Sequence, residues 1–412
     1  MKICIFTSHF FPEDFKVNDI AFELVKLGYD ITVLTAIPDY PKGKFYDGYS
    51  LSKRRREMVN GVKVIRLPII PRGKGSGVQL VLNYISYYTT LSLFTFFHAF
   101  KNKYDCIFVH LTSPFFPGVC AKYLSKRQHI PLLFWVLDLW PESLISAGGI
   151  TNSVIINSQI RMVTKVYEQC SKILISSKGF EKSICEKGPF KEKIVYFPNW
   201  AETLNKHCSI KFNIDAVHPF NAVGVNNFIL LFAGNIGEAQ NIDAVLNAAQ
   251  LLKNKKRIKF VFVGDGRKKA ALERYTIEQG LCETVYFIGR YPLETMPIFM
   301  ARADVLMVSL KDELCFNLTV PAKIQFYMAQ AKPILAMLNG DGADIIHDAQ
   351  CGFAVPAGDA IAFASAAERL SEMQAAELSV LKENAKNYYA IHFEKEHRIQ
   401  QLCELLIQST KS

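Results

Sequence analysis

The chain lacks most of the short motifs that mark a metal or cofactor site. None of its ten cysteines forms a CxxC pair or a Cys/His zinc spacing; the nearest two, Cys106 and Cys120, are 14 positions apart. Thiols scattered in this way suit a reducing compartment. There is no HExxH and no DxD triplet, so no metal is expected. The first loop, Ser8–Val17, reads SHFFPEDFKV and has no glycine. A dinucleotide fingerprint needs glycines there for the backbone to approach pyrophosphate, so a nicotinamide or flavin enzyme is disfavoured. The absence of GxxxxGK[ST] excludes an ordinary ATP P-loop. The first apolar run stops at His9 and Pro12, too short for a signal peptide, and a cytoplasmic location is expected.

What is present points to a large globular chain. Its 412 residues exceed one hydrophobic core and suffice for two α/β domains. A hydrophobic content of 50% excludes a disordered class. The charge is unevenly placed: residues 1–200 carry 26 Lys+Arg against 15 Asp+Glu, and residues 201–412 carry 22 against 23. The excess is densest at Lys53-Arg54-Arg55-Arg56 and continues through Lys63, Arg66, Arg72 and Lys74. A basic half attracts nucleic acid or an anionic membrane, or is simply a solvated face. No zinc finger, RNP-type aromatic strand or basic recognition helix occurs, so membrane contact is favoured over nucleic acid.

Directly after this patch, Val78–Phe100 runs for 23 residues without a formal charge. Length alone permits a spanning helix. Asn83, Ser86, Thr89, Thr90, Ser92 and Thr95 interrupt it, several at helical spacing. A buried or membrane-surface helix with one dry and one wetter face is the favoured expectation.

Apolar strands alternate with helices along the first half: Lys2–Thr7, Asp30–Thr35, Val62–Leu67, Cys106–Leu111, Leu132–Leu137 and Lys172–Ser176. The pattern restarts at Phe228–Phe232, Lys259–Val263, Val285–Ile288, Val305–Val308 and Ile334–Met337. Such runs, separated by helices, predict two doubly wound parallel sheets. The domains are placed at 1–205 and 206–412, with a linker near Asn205–Asn227. The closing helices, Ala360–Ile407, can return to the first domain. Ligands are expected at the carboxyl ends of the strands, in a crevice between the domains.

The loops there hold the candidate residues. Lys16 can meet an anion or be a surface lysine, and Asn18 stands beside it. His110 ends its strand, as a ligand or as a structural histidine. Asp138-Leu139-Trp140-Pro141-Glu142 follows the next strand. There Asp138 can orient a hydroxyl or take a proton, and Trp140 can stack on a sugar. The alternative is a capping Asp138 and a core Trp140. Ala233–Asn241 contains Gly234, Asn235, Gly237 and Gln240, and its glycines suit backbone N–H donation to pyrophosphate. Gly264-Asp265-Gly266 reads as a tight turn. Arg290 can pair with phosphate, and Gly340-Asp341-Gly342 can receive a sugar.

The stretch Val305–Met337 carries the most. A buried strand enters a polar loop with Asp312 and Glu313, and Pro321 opens a short helix. Lys323 sits in its first turn with Ile324. A helix N-terminus plus a lysine suits a phosphate. Without a metal, cations and N–H groups must hold leaving-group charge.

These residues resemble a family. The segments FPEDFKVNDIAFELVKLG, AIPDYPKGKFYDGY, VLDLWPESLISAGGI, FPNWAE, FAGNIGEAQNID, VGDGRKK, PAKIQFYMAQAKPIL and NGDGA are similar, in order over about residues 1–360, to retaining GT-B glycosyltransferases of family 4. More narrowly they resemble the WbuB-like branch of O-antigen and capsule enzymes, labelled L-fucosamine transferases. The resemblance implies an α/β GT-B fold, two Rossmann-like domains facing across a cleft. It implies that the second domain binds a nucleotide sugar, UDP-linked, and the first an acceptor saccharide on polyprenyl diphosphate. The enzyme would work at the inner membrane face, without metal or other cofactor. The family's phosphate-binding basic pair falls on Lys323 and Arg290, and Asp138 and Asp312 (or Glu313) remain as acids near the sugar. Three positions depart from the wider family. Phe326 replaces the usual acid of its EX7E motif, Leu137 replaces a histidine, and the first loop lacks glycines. A non-hydrolysing UDP-sugar epimerase of the same fold and a two-lobed sugar-binding protein are the alternatives.

Overall fold

A computed structural model describes residues 1–146, 149, 151–201, 220–224 and 226–411. The linker expected near Asn205–Asn227 and the boundary at 205/206 lie largely outside them. The chain divides into two compact units, Met1–Pro198 with Glu396–Ser412, and Asn199–Lys395.

The first unit holds β1 (Lys2–Thr7), β2 (Asp30–Ala36), β3 (Arg56–Val59), β4 (Val62–Leu67), β5 (Cys106–Leu111), β6 (Leu132–Val136), β7 (Lys172–Ile175) and β8 (Ile194–Tyr196). They form one sheet in the order β3-β4-β2-β1-β5-β6-β7-β8. Seven strands are parallel, because helices on both faces carry the chain back. The exception is the β3–β4 hairpin, turned by Asn60-Gly61 with φ of 47° and 81°. Positive φ at both central residues suits the right-handed strand twist. The last helix, Lys395–Lys411, belongs to this unit and buries Ile399, Leu402 and Leu406. Gln401 Nε2 donates to the Tyr196 carbonyl of β8 at 3.1 Å.

The second unit holds β9 (Phe228–Ala233), β10 (Ile258–Val263), β11 (Val285–Gly289), β12 (Val305–Ser309), β13 (Ile334–Met337) and β14 (Gly352–Val355). All pair in parallel, in the order β11-β10-β9-β12-β13-β14. Alternate residues feed two cores. Ile229, Leu231, Val261 and Val263 face one side, and Leu230, Phe232, Phe260 and Phe262 face the other.

The uncharged segment forms the helix Gly77–Lys101, with one face buried and the other exposed. The buried face carries Asn83, Thr95 and His98 beside Tyr87, Leu91 and Ala99. Two of these buried polar side chains find partners inside the protein. Asn83 Nδ2 donates to the Ile70 carbonyl at 2.7 Å, and His98 Nε2 and Tyr104 Oη share a hydrogen bond of 2.7 Å. Val78, Ile85, Leu93, Phe96, Phe97 and Phe100 are exposed instead.

Candidate functional site

Each sheet reverses its winding once, and both candidate loci lie at these points. In the second unit the chain leaves β9 toward β10 and leaves β12 toward β13. The β9 and β12 loops therefore flank a topological switch point, where open α/β sheets bind ligands. A short helix, Leu314–Asn317, follows β12, and the next, Ala322–Ala329, begins just past Pro321, as its missing N–H allows. Buried Tyr327 ties this helix to β9, its hydroxyl accepting the Ala233 N–H at 3.0 Å. One helical turn earlier, Lys323 lies on the same side. Its ammonium sits 4.4 Å from the Phe232 ring centroid. The stem crosses Gly234, where φ is +141° and a Cβ would stand 2.7 Å from Lys323 Cε.

Among the described residues Lys323 has no hydrogen-bond or ion-pair partner. Burial lowers its pKa from 10.5 to about 8. Neighbouring lysines are neutralised: Lys311 pairs with Glu238, and Lys268 with Glu238 and Asp243. A desolvated, unpaired cation at a sheet switch point is an anion site awaiting its counter-charge. Replacing Gly234 with Ala should therefore displace the lysine. We expect a loss of about 1–3 kcal/mol in stability and at least about tenfold in nucleotide affinity, read by thermal unfolding and calorimetry.

In the first unit the winding reverses between β1 and β5. Thr7 Oγ1 donates to the His9 carbonyl at 2.9 Å and contacts His110 Nδ1 at 3.2 Å. With that hydroxyl proton committed, His110 donates through Nδ1 and keeps Nε2 as an acceptor. Burial, then His9, lowers its pKa from 6.5 to about 3, so the imidazole is neutral. Beside it lies a buried polar chain that no sequence spacing announced. Glu13 Oε1 accepts the Asp39 and Tyr40 N–H groups at 2.9 and 2.7 Å. Its Oε2 meets His9 Nδ1 at 2.9 Å. Arg72 Nη2 donates to His9 Nε2 at 3.0 Å, and Arg72 stands 3.8 Å from Asp39. A carboxylate-oriented imidazole of this kind holds one tautomer and one ring orientation.

The comparisons with known proteins agree with this architecture. The family described as "Glycosyl transferase 4-like domain" matches residues 16–200, and "Glycosyl transferases group 1" matches residues 227–373. The protein named "Probable glycosyltransferase WbjE" from Pseudomonas aeruginosa is 30% identical over 271 residues, 62% of this chain and 66% of that one. WcaI of Escherichia coli K12, a glycosyl transferase named for colanic acid biosynthesis, is 24% identical over 317 residues, covering 75% and 76%. This chain belongs to the GT4 glycosyltransferases. Its fold is GT-B. HepE from Anabaena, solved in complex with UDP, superposes with a TM-score of 0.72 at 15% identity over 99% of this chain and 100% of that one. WaaG, a glycosyltransferase involved in lipopolysaccharide biosynthesis, gives a TM-score of 0.64 at 14% identity over 98% and 99%.

Within this glycosyltransferase several predicted side chains turn out to build loops. Asn18 is buried, accepting the Phe11 N–H at 2.9 Å and donating to the Glu13 carbonyl at 2.7 Å, so its amide is spent inside the first loop. Lys16 opens the helix Lys16–Lys26 and is half-buried. Asp138 accepts Ser113 and Ser143 hydroxyls on its two oxygens. Trp140 is buried and donates to Ser113 Oγ at 3.0 Å, so its faces are in the core and not open for sugar stacking. Glu142 pairs with Lys187 at 2.6 Å and accepts the Ser183 hydroxyl at 2.6 Å, a structural clasp. Ile324 is fully buried in the core.

The glycine-loop expectation needs a similar correction. Gly234 N–H donates to the Val263 carbonyl at 2.9 Å and Gly237 N–H to Gln240 Oε1 at 3.1 Å. Both amides are committed, and Asn235 Nδ2 reaches the same Gln240 oxygen at 3.4 Å. The role of Gly234 is to admit Lys323. Gly264-Asp265-Gly266 is the tight turn expected, its Ile236–Asp265 backbone bond of 2.9 Å bracing the loop from behind. Arg290 is exposed at the end of β11, two strands from β9, which is roughly 10 Å. Asp312 is exposed, and hydrogen bonds from Asn317 and Asn339 lower its pKa, keeping it ionised. Gly340 precedes the helix Asp341–Ala349, whose Gly342 packs against Pro321 and Ile324. No cluster of three or more metal-ligating side chains occurs among the described residues.

Proposed function

We propose that this glycosyltransferase moves a sugar from a UDP-linked donor to a saccharide on polyprenyl diphosphate, in O-antigen or capsular polysaccharide synthesis. The donor sugar is an amino sugar such as N-acetyl-L-fucosamine, transferred with retention. The observation that carries the donor half is Lys323, a desolvated cation with no partner, aimed over Gly234 at the β9–β12 switch point. A diphosphate is its natural counter-charge, and breaking the sugar–phosphate bond develops further charge at the same place. We therefore take the reaction to need no metal, with Lys323 and Arg290 as the cations. UDP in HepE and lipopolysaccharide synthesis by WaaG accord with this assignment. The acceptor half lies with His110 and the Glu13–His9–Arg72 chain, and a lipid-linked acceptor places the enzyme at the cytoplasmic membrane face.

A thermal-shift panel of UDP, GDP, ADP, CDP and their sugars tests the donor. Stabilisation follows affinity, about 2.7 kcal/mol at a hundred times the dissociation constant. UDP and a UDP-amino sugar should raise the midpoint. Silence from every nucleotide would refute the assignment. Incubation with donor alone should give no isomer, in contrast to an epimerase.

A further inference from the structure

We propose that the exposed stripe of helix Gly77–Lys101 seats the first unit on an anionic bilayer surface. Val78, Val81, Leu82, Ile85, Leu93, Phe96, Phe97 and Phe100 are all exposed and recur at three- and four-residue steps. They form a ridge along a helix of about 37 Å, apolar at both ends with exposed Thr89 between Ile85 and Leu93. Soluble monomers rarely expose so long a stripe, and here Asn83, Thr95 and His98 of the same helix are turned inward. Phe96 stacks on exposed Tyr123 at 6.0 Å, which widens the ridge onto the next helix, Phe116–Gln128.

Charge names the occupant. Between Glu57 and Asp138 the only acidic residue is Asp105, against nine Lys and Arg. Lys101, Lys103, Lys126 and Arg127 are exposed at the aromatic end, and Lys74 at the other. The Arg127 guanidinium lies 4.8 Å from the Phe100 ring centroid, so charge and apolar surface interleave. An apolar face rimmed by cations suits acyl chains beneath anionic headgroups. No helix among the described residues is long and apolar enough to cross a membrane, which fits a helix lying in the interface. This deepens the lipid-linked reading above, yet its test uses no nucleotide, so either can fail without the other.

The test is co-sedimentation of the full chain with phosphatidylcholine vesicles, with and without about 30% phosphatidylglycerol. The wild type should bind the anionic vesicles about tenfold better and lose that gain at high salt. The triple variant Phe96→Ser, Phe97→Ser, Phe100→Ser should lose at least about tenfold. All three residues are exposed, so its unfolding midpoint should match the wild type. Lys103→Glu with Arg127→Glu should separately remove the preference for anionic lipid. Unchanged binding in the serine variant, or equal binding to both vesicle types, would overturn the proposal. So would a wild-type dimer in sedimentation velocity that the serine variant abolishes without any vesicle binding, since the ridge would then serve a second copy.

Discussion

Replacing Lys323 with Met should stabilise the ligand-free enzyme and cripple nucleotide binding in the same molecule. The lysine is held away from water with no counter-charge, and burial lowers its pKa from 10.5 to about 8. Methionine keeps the stem and removes the charge. Because the side chain is half-buried, solvent screens part of the penalty, and we expect a gain of about 1–3 kcal/mol. For the unit Asn199–Lys395 unfolding by itself, that is roughly 2–4 °C in melting midpoint per kcal/mol. The pH dependence fixes the cause. The unfolded lysine keeps its ordinary value, so from about pH 8 to 10.5 the unfolded chain holds a proton the folded one has released. Wild-type stability should rise with pH through that window. The methionine advantage is therefore full below pH 8 and absent above 10.5.

The same variant should lose about 2–3 kcal/mol of UDP affinity, roughly 30- to 150-fold, the cost of a charge-assisted bond to phosphate. Wild-type affinity should be flat below about pH 7 and weaken as the free lysine deprotonates near 8. A less stable Lys323→Met protein that still binds UDP would remove this residue from the donor site.

Lys323 was legible in the sequence because its signals are local: a buried strand, Pro321 as helix opener and one cation in the first turn. The central strands were legible for a similar reason, since most have both faces covered and read as nearly unbroken apolar runs, while β4 alternates as Val62-Lys63-Val64. Three of the four edge strands were not; the fourth, β11, is apolar enough to read as a strand. β3 is Arg-Glu-Met-Val, β8 three half-buried residues and β14 Gly-Phe-Ala-Val, all short and incompletely buried. For β3 a signal exists, Asn60-Gly61 flanked by Val59 and Val62, but the basic run beside it reads as a surface patch. Asn18, Trp140 and Glu142 show a different limit. Their loops stand at the carboxyl ends of the strands, as expected, while their side chains turn inward to hold those loops. A sequence locates a loop more readily than it aims a side chain. Phe326 is a related case. It packs half-buried against the core of the second unit. Hydrophobic packing has taken over that position.

Glu13, missed because its partners lie at positions 9, 39, 40 and 72, should prove the most sensitive residue of the first unit. Glu13→Leu leaves two buried N–H groups and an imidazole without their acceptor. We expect a cost of about 3–5 kcal/mol, seen as loss of folded protein at 37 °C. Glu13→Gln separates function from folding. The amide oxygen can still accept from Asp39 and Tyr40, but its NH2 then faces His9 Nδ1. Nδ1 must become the acceptor, which moves the proton to Nε2 and points it at the Arg72 donor. The His9–Arg72 bond is lost, and the Arg72 guanidinium keeps Asp39 at 3.8 Å and the Tyr40 and Tyr84 rings. The fold should survive with a midpoint a few degrees lower, and the tautomer change should appear in the nitrogen-15 shifts of His9. Transfer to the acceptor should fall at least about tenfold with UDP affinity unchanged, because Lys323 belongs to the other unit. In an Arg72→Met background the glutamine should cost little more, since the bond it breaks is already gone. If UDP affinity fell as far as the rate, the chain from Glu13 to Arg72 would serve the donor site and not the acceptor.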